Sequence, residues 1–222
     1  MKIINWNVGR PSNNKVKSIT EKLIELNADI VVLTETSTLI DLGSAYNYHL
    51  TDFIEHDFER QNLVKYKNSE RRVSIYSMYP FSKTYSTYDK FTSICLDLDT
   101  PFGEVTFYAT IIGVFGGLNP RFNDDLTSQI QDFEKLLKGK NTCIIGDYNI
   151  TTSGRVYPSN AARETLNSII QNNQFINLTA SIPNNVDHIS ISQQLVQESQ
   201  ITIETWNLDK KLSDHIGIMV NI

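Results

Sequence analysis

Cysteine is scarce in this chain: among 222 residues there are two, Cys95 and Cys143. Two thiols are too few for a disulfide framework, and their spacing matches no zinc motif. Each lies in an apolar run, SICLDL and NTCIIGD. Both are expected to be buried and reduced, with a disulfide between them left open. No stretch reaches the roughly 18 consecutive apolar residues that span a membrane. Repeats, low-complexity tracts and linkers are also missing, so a single domain over residues 1–222 is predicted. Positive charge is in deficit, with 20 Lys and Arg against 25 Asp and Glu and a net charge of −5. That excludes a protein that coats nucleic acid through a broad basic surface. It does not exclude an enzyme of nucleic acid, because a carboxylate-rich site is acidic until a cation neutralises it. The N-terminus, MKIINWN, opens as a strand rather than as a charged region followed by a long apolar one. A cytoplasmic protein, monomeric and without a membrane span, is therefore expected.

What the chain does contain is enough apolar sequence, 40% of residues, to fill a sizeable α/β core. The segments 2–8, 28–36, 71–80, 91–100, 103–113, 141–150, 186–192, 200–208 and 213–222 read as strands, and 46–66 as a strand or two with loops. ADIVVLTET (28–36) is continuously apolar before its terminal carboxylate, the pattern of a strand covered on both faces. Pro101, Phe102 and Gly103 supply turn chemistry between two strands. Helical spacing appears over 12–26, 123–137 and 161–172, with Ser12 or Asn13 placed to cap the first. Strands outnumber helices, which suits two packed sheets flanked by helices.

Five strand-like runs end or begin in polar residues: Asn5-Trp6-Asn7, Thr34-Glu35, Gly146-Asp147-Tyr148-Asn149, Val186-Asp187-His188 and Ser213-Asp214-His215. A sheet can bring such ends together although they are far apart in sequence. The residue types suit phosphoester hydrolysis. Carboxylates of Glu35, Asp147, Asp187 and Asp214 can hold a hard cation and activate water. Asn7 and Asn149 are neutral amides, and His215 can carry a proton near neutral pH. Singly, each has an ordinary reading: a turn for Gly146 to Asn149, a salt bridge for Glu35, a strand-entry turn for Asp214-His215. His188 alternates with Asp187 and is expected on the opposite face of its strand.

Taken in order, these residues resemble the endonuclease/exonuclease/phosphatase family. That family carries a first strand ending in W-N, a second ending in Glu, a G-D-x-N turn, an I-D-x-I strand and a terminal S-D-H. The run Arg72 to Pro80 is similar to its apolar strand ending in S-x-x-P. The resemblance implies a four-layer α/β/β/α sandwich of two packed mixed sheets flanked by helices. It implies that Glu35 binds Mg²⁺ or Mn²⁺ with help from Asn7 and Asp214. It further implies that Asp147 activates water, that Asn149 helps hold phosphate, and that Asp187 pairs with His215, which contacts the phosphate. Two positions depart from the pattern. Ile111 stands where many members carry a His that protonates the leaving group, which leaves Tyr108, Arg121 or metal-bound water for that task. Gly9 stands where several nucleases carry Asp or Asn.

The leading expectation is a metal-dependent phosphodiester hydrolase, a nuclease on DNA or RNA, with Arg121 also placed to meet substrate. One alternative is a phosphatase or phosphodiesterase of a small phosphoester, phosphoinositide or phospholipid head group. Another is a metal-binding module without turnover. Arg60, Lys65, Lys67, Arg71 and Arg72 are candidates for a local basic rim, and Lys210 and Lys211 could meet a substrate phosphate.

Overall fold

The computed structural model describes residues 1–54, 66–197 and 200–222. His56, Arg60 and Lys65 fall outside them. The elements run β1 (Lys2–Asn7), α1 (Asn13–Leu26), β2 (Ile30–Ser37), β3 (Asn47–Leu50), β4 (Glu70–Ser77), β5 (Phe81–Tyr85), β6 (Ser93–Thr100) and β7 (Gly103–Ile111). They continue with α2 (Phe122–Leu136), β8 (Thr142–Asp147), α3 (Asn160–Asn172), β9 (Phe175–Asn177), β10 (Asp187–Ser192), a 3₁₀ turn (Gln193–Leu195), β11 (Thr202–Trp206) and β12 (Gly217–Asn221).

Two six-stranded sheets result, ordered β11-β12-β1-β2-β4-β3 and β5-β6-β7-β8-β10-β9. Both are mixed. Each holds one described parallel pair at its centre, β1 with β2 and β7 with β8, and each pair is bridged by one helix, α1 or α2. This arrangement positions the site. Parallel partners end at the same sheet edge, so Asn7, Glu35 and Asp147 share an edge within their sheets. The antiparallel neighbours β10 and β12 begin there, which adds Asp187 and the turn carrying Asp214 and His215.

The core has three layers of side chains. Ile3, Val32, Val73, Phe107, Ile145, Ile189 and Val220 interdigitate between the sheets. Val16, Ile19 and Leu23 of α1 pack on Ile4, Trp6, Val31 and Leu33 of the first sheet. Leu126 and Phe133 of α2, with Leu166 and Ile170 of α3, pack on Tyr108, Ile144 and Tyr148 of the second. The predicted four-layer sandwich is thus present. Cys95 lies in the helix-side layer and Cys143 between the sheets, so the two face opposite ways and both are free thiols. Among the described residues no helix is long and apolar enough to cross a membrane.

Some expected boundaries move. Pro101 and Phe102 do form the tight turn, since Thr100 pairs with Gly103 across β6 and β7. Ser12 sits at the N-cap of α1, but its side chain makes no cap hydrogen bond. The last strand starts at Gly217, so Asp214 and His215 belong to the turn before it. β5 and β9 were not expected from the sequence. Both are short edge strands, and most of β5 is exposed and polar, so neither carries a buried apolar run.

One polar residue crosses the sandwich. Asn5 is fully buried between the sheets, and its Nδ2 donates to the carbonyls of Gly146 and His188, each at 3.0 Å. It ties the first sheet to two adjacent strands of the second, one residue short of Asp147 and one past Asp187.

Candidate active site

Gly146 explains the start of the Gly146 to Asn149 run. Its φ is +143°, and a Cβ there would stand 1.8 Å from the Thr110 carbonyl oxygen. Only glycine lets β8 lie this close to β7. Asp147 follows on the inter-sheet face, almost wholly buried. Its Oδ2 accepts from Asn7 Nδ2 at 3.0 Å, and its Oδ1 accepts the Asn149 N–H at 2.9 Å. Asp187 sits in register beside it, 1% exposed. Asp187 Oδ2 lies 2.6 Å from His215 Nδ1, and its Oδ1 has no hydrogen-bond partner among the described residues. Asp147, Asp187 and His215 each offer a ligand-type atom within 4.8 Å of the others.

The charges reinforce one another. Burial raises the Asp147 carboxyl pKa and Asp187 raises it further, against the lowering effects of His215 and the two hydrogen bonds. Burial alone would depress His215, but Asp187, through charge and hydrogen bond, lifts it above the ordinary histidine range. A buried carboxylate pair thus holds an imidazolium.

Glu35 reaches the same edge by an unusual backbone. Its φ is +48°, and the β2–β4 ladder passes from Thr34–Val73 to Thr36–Arg71 without it. The Arg10 N–H holds its carbonyl at 2.8 Å. Burial raises its carboxyl pKa, Arg72 and His215 lower it, and Asp214 raises it, so Glu35 senses the charges of the Ser213 to His215 turn. That turn is docked on the first strand. Ser213 Oγ donates to the Asn7 carbonyl at 2.6 Å, and the His215 carbonyl accepts from Trp6 Nε1 at 3.3 Å and from Asn207 Nδ2 at 2.6 Å. Gly9 has φ +64°, and a Cβ there would come within 3.1 Å of Asp214 Oδ1. The departure at Gly9 therefore has a steric reason: a side chain would crowd Asp214.

The structure revises three expectations. Asn149 Nδ2 donates to the carbonyls of Ile112 and Gly113, at 3.0 and 3.2 Å, so both its amide hydrogens are used by the loop after β7 rather than held out for phosphate. Tyr108 cannot serve the leaving group. Its hydroxyl bonds to Asp132 Oδ2 at 2.8 Å on the helix side, and burial raises its pKa well above the ordinary value. Ile111, in register with Asp147, is 1% exposed and packs in the inter-sheet core. Arg121 stands half exposed at the start of α2, 3.4 Å from Asp125. Lys211 pairs with Asp209 at the surface.

Sequence reasoning gave Asn5 no role within its strand-end segment and took Arg72 for a rim residue. Arg72 is buried, stacked over the rings of Tyr66 at 4.8 Å and Phe115 at 5.1 Å, and close enough to Glu35 to lower its carboxyl pKa.

No family model and no curated protein matches this sequence. Solved structures do. An AP endonuclease from Archaeoglobus fulgidus superposes with a TM-score of 0.73 at 13% identity, covering 100% of this chain and 99% of its own. The chain has the endonuclease/exonuclease/phosphatase fold. A 3′ phosphatase, NExo from Neisseria, solved with a product DNA hairpin, gives 0.71 at 12% identity over 100% of this chain and 99% of that one. The human Nocturnin catalytic domain, solved with a sulfate anion, gives 0.71 at 12% identity over 99% and 92%.

His188 lies outside the site, as its alternation with Asp187 implied. It is fully buried, with Nε2 2.8 Å from the Ile150 carbonyl and Nδ1 3.1 Å from Asn177 Nδ2. These partners fix the neutral Nε2–H form, and burial, the largest influence, lowers its pKa to about 4. The folded value lies below that of the unfolded chain, so unfolding takes up a proton between the two. The stability is fully present above pH 6.5 and is lost as pH falls towards 4. At roughly 1.4 kcal/mol per pKa unit the loss approaches about 3 kcal/mol. Urea unfolding at pH 7.5 and 5 should show about 2 kcal/mol of this loss in the wild type and a flatter response in His188→Gln. Equal pH responses in the two proteins would refute it.

Proposed function

We propose that this protein is a divalent-metal-dependent phosphodiester hydrolase acting on nucleic acid. The observation that carries the reading is the buried Asp187–His215 pair set against Asp147, which Asn7 of the other sheet holds by hydrogen bond. Likeness of fold to an AP endonuclease and to a 3′ phosphatase solved with DNA supports the same class.

Asp147 is the base. Its raised pKa brings it towards the working pH, where a carboxylate takes a proton from water most effectively. The water attacks phosphorus in line and its proton goes to the Asp147 carboxylate. His215, kept protonated by Asp187, places an N–H against the phosphoryl oxygens as their charge grows. Asn149 keeps Asp147 in place through its N–H and anchors the neighbouring loop through its amide. Arg121, at the far end of that loop, is the cation for an outer phosphate.

Glu35 and Asp214, near enough to influence each other's charge, and Asn7 Oδ1, which also accepts the Gly9 N–H, would supply the all-oxygen donors that suit Mg²⁺ or Mn²⁺. The burial that raises the Glu35 pKa marks a carboxylate lacking full compensation by Arg72, which a cation would supply. When bound, the ion neutralises charge on the phosphoryl group. Glu35→Gln should raise the Mn²⁺ concentration for half-maximal hydrolysis about tenfold or more. Titrating Mn²⁺ with a single-stranded oligonucleotide as substrate measures it. The whole reading fails if the wild-type protein hydrolyses no oligonucleotide with either metal.

A further inference from the structure

The three loops at the site edge of the second sheet build more than the catalytic groups. The loop after β7 carries Gly113, Gly116 and Gly117, and none has room for a side chain. A Cβ at Gly113 would meet the Phe122 ring at 2.4 Å, one at Gly116 the Tyr157 hydroxyl at 2.7 Å, and one at Gly117 the Asn149 carbonyl at 2.8 Å. The loop is pinned by Asn149 Nδ2 on one side and by Tyr157, whose hydroxyl accepts the Gly117 N–H at 2.8 Å, on the other. A loop packed this closely does not fold its next side chain inward. Leu118 is 77% exposed, more than any other large apolar residue described.

The loop after β8 is equally fixed. Arg163 Nε and Nη2 donate to the Thr151 carbonyl at 2.6 Å and to Thr151 Oγ1 at 2.7 Å, and Asn184 Oδ1 accepts the Arg155 N–H at 2.8 Å. This presents Arg155 to solvent beside Tyr157. Between the loops lies an open groove of about 690 Å³, lined by Leu118, Thr151, Arg155, Tyr157, Asn184 and Val186. Val186 immediately precedes Asp187, and the loop that carries Leu118 packs on Asn149, whose carbonyl would stand 2.8 Å from a Cβ at Gly117, so the groove adjoins the candidate active site.

We propose that this groove is a base-binding subsite. It takes the nucleobase of a single-stranded nucleotide next to the scissile phosphodiester, stacked against Leu118 and Tyr157, with Arg155 meeting the adjoining phosphate. The inference rests on the phosphodiesterase reading of the same site and narrows its substrate to unpaired nucleic acid. A leucine held outward beside an aromatic ring offers a planar base an apolar surface to lie against. Among the described residues lining the groove Arg155 is the cation, exposed where it can meet the backbone of a bound strand.

The test uses a fluorescein-labelled single-stranded hexanucleotide with metal chelated, so that binding is read apart from hydrolysis. Leu118→Ala and Arg155→Ala change exposed side chains and should leave the fold unaltered. Each should weaken binding about tenfold, the scale of one lost stack or phosphate contact. With Mn²⁺ present, KM should rise by a similar factor while kcat holds. Replacing single bases by abasic positions should weaken wild-type binding at one position, and Leu118→Ala should no longer feel that loss. Variants that bind and cleave like the wild type would overturn the subsite while leaving the phosphodiesterase reading intact. Base-dependent binding without metal-dependent cleavage would uphold the subsite and overturn that reading.

Discussion

Asp147→Asn is expected to lower kcat on an oligonucleotide with Mn²⁺ by about 10³-fold, with KM little changed. The carboxylate is the group placed to accept the proton of attacking water, and an amide cannot accept one. The fold should tolerate the change for a reason visible in the charges. Burial and Asp187 both work against the ionised form of Asp147, so removing its charge relieves a cost. Against that, Asp147 accepts two hydrogen bonds, one on each oxygen, and asparagine can accept only on its single oxygen. The donor left over, Asn7 Nδ2 or the Asn149 N–H, loses roughly 1–3 kcal/mol. The two effects oppose, so the thermal midpoint should move by only a few degrees while turnover collapses. Steady-state kinetics beside a melting curve separates them. A variant keeping a third of wild-type kcat would remove Asp147 from the role of base.

The largest expected effect on stability belongs to Gly146→Ala. The added methyl would stand 1.8 Å from the Thr110 carbonyl oxygen and 2.8 Å from its carbon. Those are backbone atoms of the parallel partner strand, in register with Gly146, so no side chain can swing aside. The φ of +143° adds backbone strain for any residue with a Cβ. β7 and β8 would have to separate at the centre of their sheet. A loss above about 4 kcal/mol is expected, in the range reserved for a broken core feature. Urea unfolding, or soluble yield where the variant does not fold, reads it. A midpoint matching the wild type would show that the two strands can part without cost.

The sequence carried the central strands and the site at its strand ends because burial on both faces writes a continuous apolar run, and β2 and β8 each have one before their polar ends. The helices emerged from their spacing to within a residue or two. What stayed hidden depends on partners distant in sequence. Apolar spacing puts Leu126, Ile130, Phe133 and Leu137 on one face of α2, yet Asp125, Gln129 and Asp132 of the same helix are buried as well. They are satisfied by Tyr88, Thr110 and Tyr108, residues that no local pattern links to a helix. The left-handed turn at Glu35 was equally invisible, since nothing in T-E-T demands it. Asn149 was legible as a site residue but not in its detail. Whether its amide faces phosphate or the carbonyls of Ile112 and Gly113 is decided by where the loop after β7 passes.

The bonds that cross from one sheet to the other give the protein a further property. Asn7 reaches over to Asp147, and Asn5 to the carbonyls flanking it, while Glu35 and Asp214 stay on the near side. On the proposed reading, the proton-accepting half and the metal-facing half of the centre would be mounted on separate plates of a laminate. Catalysis measures how well those plates are aligned. A slip between them too small to expose the core or change the helical content would still pull base and cation apart, so warming can silence the enzyme while it remains, by any spectroscopic measure, folded.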